Sequence, residues 1–112
     1  MNERYQKFLT SKQEPLRLSI AIEGFLHGKP DAEDWTAYRD YLHRRLQPAA
    51  AALIEADNTV GLRCLAEQGW LGEKLTDELI RLAGEKHKTA ALVWLLRWKG
   101  EQYGFRDRDF SL

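Results

Sequence analysis

The chain reads as an all-α protein of five to six helices, the last four arranged as two stacked antiparallel helix pairs. Three observations lead there. Apolar residues recur at steps of three and four through most of the chain, the period that places them on one face of a helix. Val60 and Val93 are the only valines, and nowhere do β-branched and aromatic residues alternate between turn dipeptides, so no sheet is expected. Finally, sliding the sequence by 30 residues lays Thr59, Leu62 and Leu65 on Thr89, Leu92 and Leu95.

Taken in order, the polar opening Asn2 to Lys7 precedes a helix from Pro15 to Leu26, with Leu18, Ile22, Phe25 and Leu26 as its stripe. Gly28 and Pro30 end it, and Asp31 is expected to cap a second helix carrying Trp35, Tyr38, Tyr41 and Leu42. Acidic Glu33 and Asp34 at its start and basic Arg44 and Arg45 at its end suit the helix dipole. These N-terminal helices occupy residues 15–46.

Helix pair one spans residues 48–69: an alanine-rich run opened by Pro48, a turn at Asp57-Asn58, and a short helix through Leu62, Cys64, Leu65 and Ala66 that stops at Gly69. Helix pair two spans residues 75–103. Trp70 to Lys74 is the connection into it, Thr76 is expected to cap its first helix with Leu79, Ile80, Leu82 and Ala83 inward, and Gly84 to Lys88 form the turn. The second helix, Thr89 to about Tyr103, is apolar nearly all round and so should be packed between neighbours. Residues 104–112 are expected to form an irregular tail whose run Arg106 to Asp109 is solvated.

At 112 residues, with 44% hydrophobic and 30% charged side chains, the whole chain has the size and balance of a single globular domain, 1–112. Seventeen basic and seventeen acidic residues cancel, which leaves no overall field to attract nucleic acid or an anionic membrane and permits weak self-association, so a monomer or weak homo-oligomer is expected. Cys64 is the lone cysteine, no secretory leader is evident, and no stretch approaches the roughly 20 apolar residues of a membrane span, so the expected location is the cytoplasm, away from membranes.

Catalytic and metal chemistry find no foothold in this pattern. His27, His43 and His87 lie on different elements without metal-ligand spacing, and Cys64 sits among leucines as an inert buried thiol. Glu23, Glu55, Glu67, Glu78 and Glu85 are expected to face solvent and pair with Lys or Arg three or four residues away. The eight glycines form no phosphate-binding loop. The expectation is therefore a protein that is not an enzyme, with no cofactor and no metal.

The repeated units, Ala49, Ala52 and Glu55 matching Leu79, Leu82 and Glu85 ahead of Leu-x-x-Leu helices, resemble the ankyrin family over roughly residues 48–99. Leu82-Ala83 followed by Ala91-Leu92 and Trp94-Leu95-Leu96 carries that resemblance, although Thr-Pro-Leu-His is absent and His87 stands where the turn glycine belongs. In overall texture, from Leu-Ser-Ile-Ala-Ile to Trp-Leu-Leu-Arg-Trp-Lys, the chain is also similar to uncharacterised small helical proteins of anaerobic gut bacteria. The ankyrin resemblance implies a scaffold that binds another protein and has no inherited catalytic residues.

A non-catalytic protein–protein interaction module is the function expected, with Trp70, Arg81, Glu85 and Trp98 as candidate contact residues because tryptophan and arginine are enriched at binding hot spots. The alternative is a nucleic-acid-binding domain with a degenerate helix-turn-helix at 78–97. Against it, Lys86 and Lys88 occupy turn positions that should be apolar, and Trp94, Leu95 and Leu96 stand where base-reading polar residues belong.

Overall fold

A computed structural model describes residues 3–104. Seven helices and no strands occur among them: α1 (Glu3–Thr10), α2 (Glu14–His27), α3 (Glu33–Arg44), α4 (Leu46–Glu55), α5 (Thr59–Glu67), α6 (Glu73–Glu85) and α7 (Thr89–Tyr103). The all-helical class holds, and the count exceeds the expected five to six because the polar opening is itself helical. The tail expected beyond Gly104 lies outside the described residues. No helix among them is long and apolar enough to cross a membrane.

The chain divides into two compact units, residues 1–49 and 50–112, with the boundary inside α4. In the first unit α2 and α3 pack as an antiparallel hairpin. The pairing is read from cross-helix bonds: Trp35 Nε1 donates to the Phe25 carbonyl at 3.0 Å near the turn, and Tyr41 donates to Glu14 at 2.6 Å at the far end. Gly24 makes the close approach possible, since a Cβ there would lie 2.1 Å from Cε2 of Tyr38. Between the two helices Lys29 accepts the Ala32 N–H at 3.2 Å across Pro30-Asp31. Asp31 takes φ 76°, a left-handed third position behind a proline, so it shapes the turn and does not cap α3. The N-cap is Ala32, with no side-chain hydrogen bond.

Eight residues are too few to hold a helix by propensity alone, so α1 depends on what it buries. Phe8 is buried edge-on between Tyr38 and Tyr41, each ring centroid 5.1 Å away. Arg17 lies over both Phe8 and Tyr41 and donates from Nε to the Phe8 carbonyl at 3.2 Å, tying α2 to α1.

In the second unit α6 and α7 form an antiparallel pair. Lys99 Nζ meets Asp77 at 3.0 Å, and one turn further the Tyr103 hydroxyl donates to the Leu71 carbonyl at 2.7 Å. Leu79 and Ala83 of α6 and Ala91 and Leu95 of α7 are buried. Thr76 is fully buried inside α6, which begins at Glu73 behind Gly72, so it is a core residue and not the expected cap. Gly61 lets α5 close on Leu53 of α4, a Cβ there falling 2.4 Å from a leucine methyl. Helix α7 is less enclosed than its composition suggests: Ala91 and Leu95 are buried, while Val93 and Leu96 are exposed.

The turns after α4 and α6 close alike. Asn58 donates to the Leu53 carbonyl at 2.8 Å and Lys88 to that of Ala83 at 2.9 Å, each across a residue with positive φ, Asp57 at 53° and His87 at 57°. This is the Schellman closure, which normally carries glycine at the left-handed position.

Candidate functional site

Helix α5 sets Arg63, Ala66 and Glu67 on one face, at steps of three and four; helix α7 does the same with Trp94, Arg97, Trp98 and Glu101. Those seven residues line a cleft of about 320 Å³. Its aromatic lining is Trp94 and Trp98, one helical turn apart, which stack with ring centroids 5.8 Å apart and planes 7° from parallel. The Trp98 indole N–H is withdrawn from solvent and has no acceptor among the described residues.

One contact sets how α7 sits against α5, and a second ties together the helices that precede them. The Asp57 carboxylate, from the turn that precedes α5, accepts the Ala91 N–H at 2.7 Å. Lys86 Nζ reaches Glu55 at 3.2 Å, joining the ends of α6 and α4. Both helices of the cleft therefore start at the same end of the unit. Asn58 meanwhile caps α5 itself, accepting the Gly61 N–H at 2.9 Å.

The charges at the rim are notable for what they do not do. Arg81 and Glu85, four apart on α6, pair at 3.7 Å, and Glu23 pairs with His27 at 3.4 Å. Arg63, Glu67, Arg97 and Glu101 have the same four-residue spacing, yet none forms an ion pair with another described residue. Glu55 departs from the local pairing expected of it, taking Lys86 from the next helix pair instead of a neighbour on its own helix.

Of the four contact residues expected from sequence, Trp98 alone lines the cleft. Arg81 and Glu85 lie together, exposed, on α6. Trp70 is half-buried in the α5–α6 link, its N–H bonded to the Leu65 carbonyl at 3.3 Å behind Gly69. As contact residues, sequence reasoning passed over Arg63, Ala66, Glu67, Trp94, Arg97 and Glu101. The signal was present, because Trp94, Arg97, Trp98 and Glu101 form one i, i+3, i+4, i+7 stripe of side chains too polar for a core.

Cys64 is half-buried rather than buried, and desolvation, followed by the Glu67 carboxylate, pushes its thiol above the ordinary value, so it stays protonated at neutral pH. No group of three or more His, Cys, Asp or Glu among the described residues could hold a metal ion. In the first unit, Glu14 accepts from both Tyr41 and Arg45 Nε. The phenol hydrogen bond first, and Arg45 after the opposing desolvation, hold the Glu14 carboxyl below its usual range. Burial, helped by that bond, raises Tyr41.

Fold and cleft together define an all-α protein with a tryptophan-walled groove between two helices that start at the same end. Beyond that class, the chain matches no protein-family model, no curated protein and no solved structure.

Proposed function

We propose that the chain is a non-catalytic protein-interaction module whose α5–α7 cleft receives an apolar side chain of a polypeptide partner. The observation that carries this reading is the stacked pair Trp94 and Trp98 framed by four charged side chains without ion-pair partners among the described residues. Aromatic anchors within a polar rim are the anatomy of a binding hot spot. In this reading α4–α5 and α6–α7 are two related, ankyrin-like helix pairs, supported by the non-glycine left-handed residue in the turn of each, Asp57 and His87, although the closure itself also ends α5 at Gly69. Val93, Leu96 and a single arginine, Arg97, face outward on α7, a surface better suited to protein than to the edges of bases.

Short amphipathic peptides selected against the protein from a display library test this. Filling the cleft with Ala66→Trp should weaken such peptides by about tenfold or more, while Arg81→Ala with Glu85→Ala leaves them unchanged. Peptides indifferent to Ala66→Trp, with the variant folded by circular dichroism, would refute the reading.

A further inference from the structure

The order of side chains along the two cleft helices points to a particular partner. On α5, Val60, Arg63 and Glu67 follow one another on one face; on α7, Val93, Arg97 and Glu101 do the same. Both valines are more than half exposed, at 55% and 51%. Each helix thus offers an apolar residue, then a cation, then an anion. Because Asp57 holds the start of α7 beside the start of α5, the two helices present this order in the same sense.

A partner of one charge sign would be repelled by half of this rim, which carries two arginines and two glutamates. The partner must itself display both signs in reversed order. A surface that runs from cation to anion on both helices supplies its own complement when a second copy is laid face to face on it by a two-fold axis that lies in the interface and runs perpendicular to the helices, since that rotation reverses both helices together. Every arginine then falls over a glutamate of the mate. The chain's zero formal net charge sets no long-range repulsion against this approach.

We propose that the α5–α7 surface binds a second copy of the same chain in a two-fold dimer, with Arg63 and Arg97 of each copy facing Glu67 and Glu101 of the other. This inference rests on the cleft being a docking site for polypeptide. The paired charges set register and choice of mate, while the indoles of Trp94 and Trp98 supply the apolar contact.

Sedimentation equilibrium on three preparations tests it. The wild type should self-associate reversibly, and more weakly as salt rises. An all-acidic variant, Arg63→Glu with Arg97→Glu, and an all-basic one, Glu67→Arg with Glu101→Arg, should each associate at least about tenfold more weakly than the wild type, because like charges then face each other. Mixed in equal amounts, the two should recover a heterodimer. All four positions are exposed, so folding should persist. A second pair with the same charge changes moved to α6, Arg81→Glu against Glu85→Arg, should self-associate like the wild type.

A wild type that stays monomeric throughout, or variants that fail to complement on mixing, would overturn the dimer. So would self-association that survives Ala66→Trp unchanged. If the chain is monomeric while selected peptides still lose affinity on Ala66→Trp, only the identity of the partner is wrong. If the peptides are also indifferent, the docking reading falls as well.

Discussion

The carboxylate of Asp57 caps a helix that begins more than thirty residues later, accepting the N–H of Ala91 at 2.7 Å. Lys88, the residue at the N-cap of α7, makes no side-chain hydrogen bond there. Ala91 is the third residue of α7, the position an N-cap side chain normally serves. The preceding turn thus does for α7 what Asn58 does for α5. Asp57→Ala should cost about 1 kcal/mol in chemical denaturation, whereas Asp57→Asn, which keeps an oxygen acceptor and tolerates positive φ, should cost clearly less. Equal losses would show that the contact contributes nothing specific.

His87 sits at φ 57° and is exposed, with no glycine at the left-handed position of its turn. Removing the Cβ relieves local strain but loosens the unfolded chain. His87→Gly should therefore stabilise the protein by about 0.5 kcal/mol, visible as a raised denaturation midpoint with an unchanged slope. A destabilised variant would mean that the imidazole makes a contact worth more than the strain.

The α2–α3 hairpin is closed by Gly24 against the Tyr38 ring, whose hydroxyl is buried without a hydrogen-bond partner among the described residues. Gly24→Ala should cost about 2 kcal/mol or more by overpacking, despite the better helix propensity of alanine. Tyr38→Phe, which removes an orphaned group, should be neutral or stabilising. Burial, followed by Asp34, raises this phenol above its usual range, in keeping with an enclosed hydroxyl.

Acid should weaken the first unit through Glu14. Its carboxyl is held low in the fold, so the stability it contributes is complete above the ordinary carboxylate range and is lost as pH falls through the folded value. Between about pH 5 and pH 2 the wild type should lose more stability than Glu14→Gln. Parallel curves would place the acid sensitivity elsewhere.

Much of the fold was legible because its elements bury periodic stripes: Tyr38, Tyr41 and Leu42 on α3, Leu62 and Leu65 on α5, and Leu95 on α7 are all buried as their spacing requires. Helix α1 was not, because it depends on Phe8 docking between rings that lie thirty residues away in the chain. Thr76 and Asp31 mislead for a related reason. Both are favoured at caps, but Thr76 sits inside a helix already begun by Glu73, and Asp31 is set by the proline before it. Of the cleft, only Trp98 was legible, standing out by type, while Arg63 and Glu67 become part of it only when α5 comes alongside α7.

Indole resonances offer the most direct test of the cleft as a docking surface. The protein has four tryptophans, and their N–H signals can be assigned in a nitrogen-proton correlation spectrum. Titration with a selected amphipathic peptide should shift Trp94 and Trp98 saturably, while Trp35, bonded to the Phe25 carbonyl, and Trp70 stay in place. Shifts confined to Trp35 or Trp70, with Trp94 and Trp98 unmoved at saturation, would contradict the account.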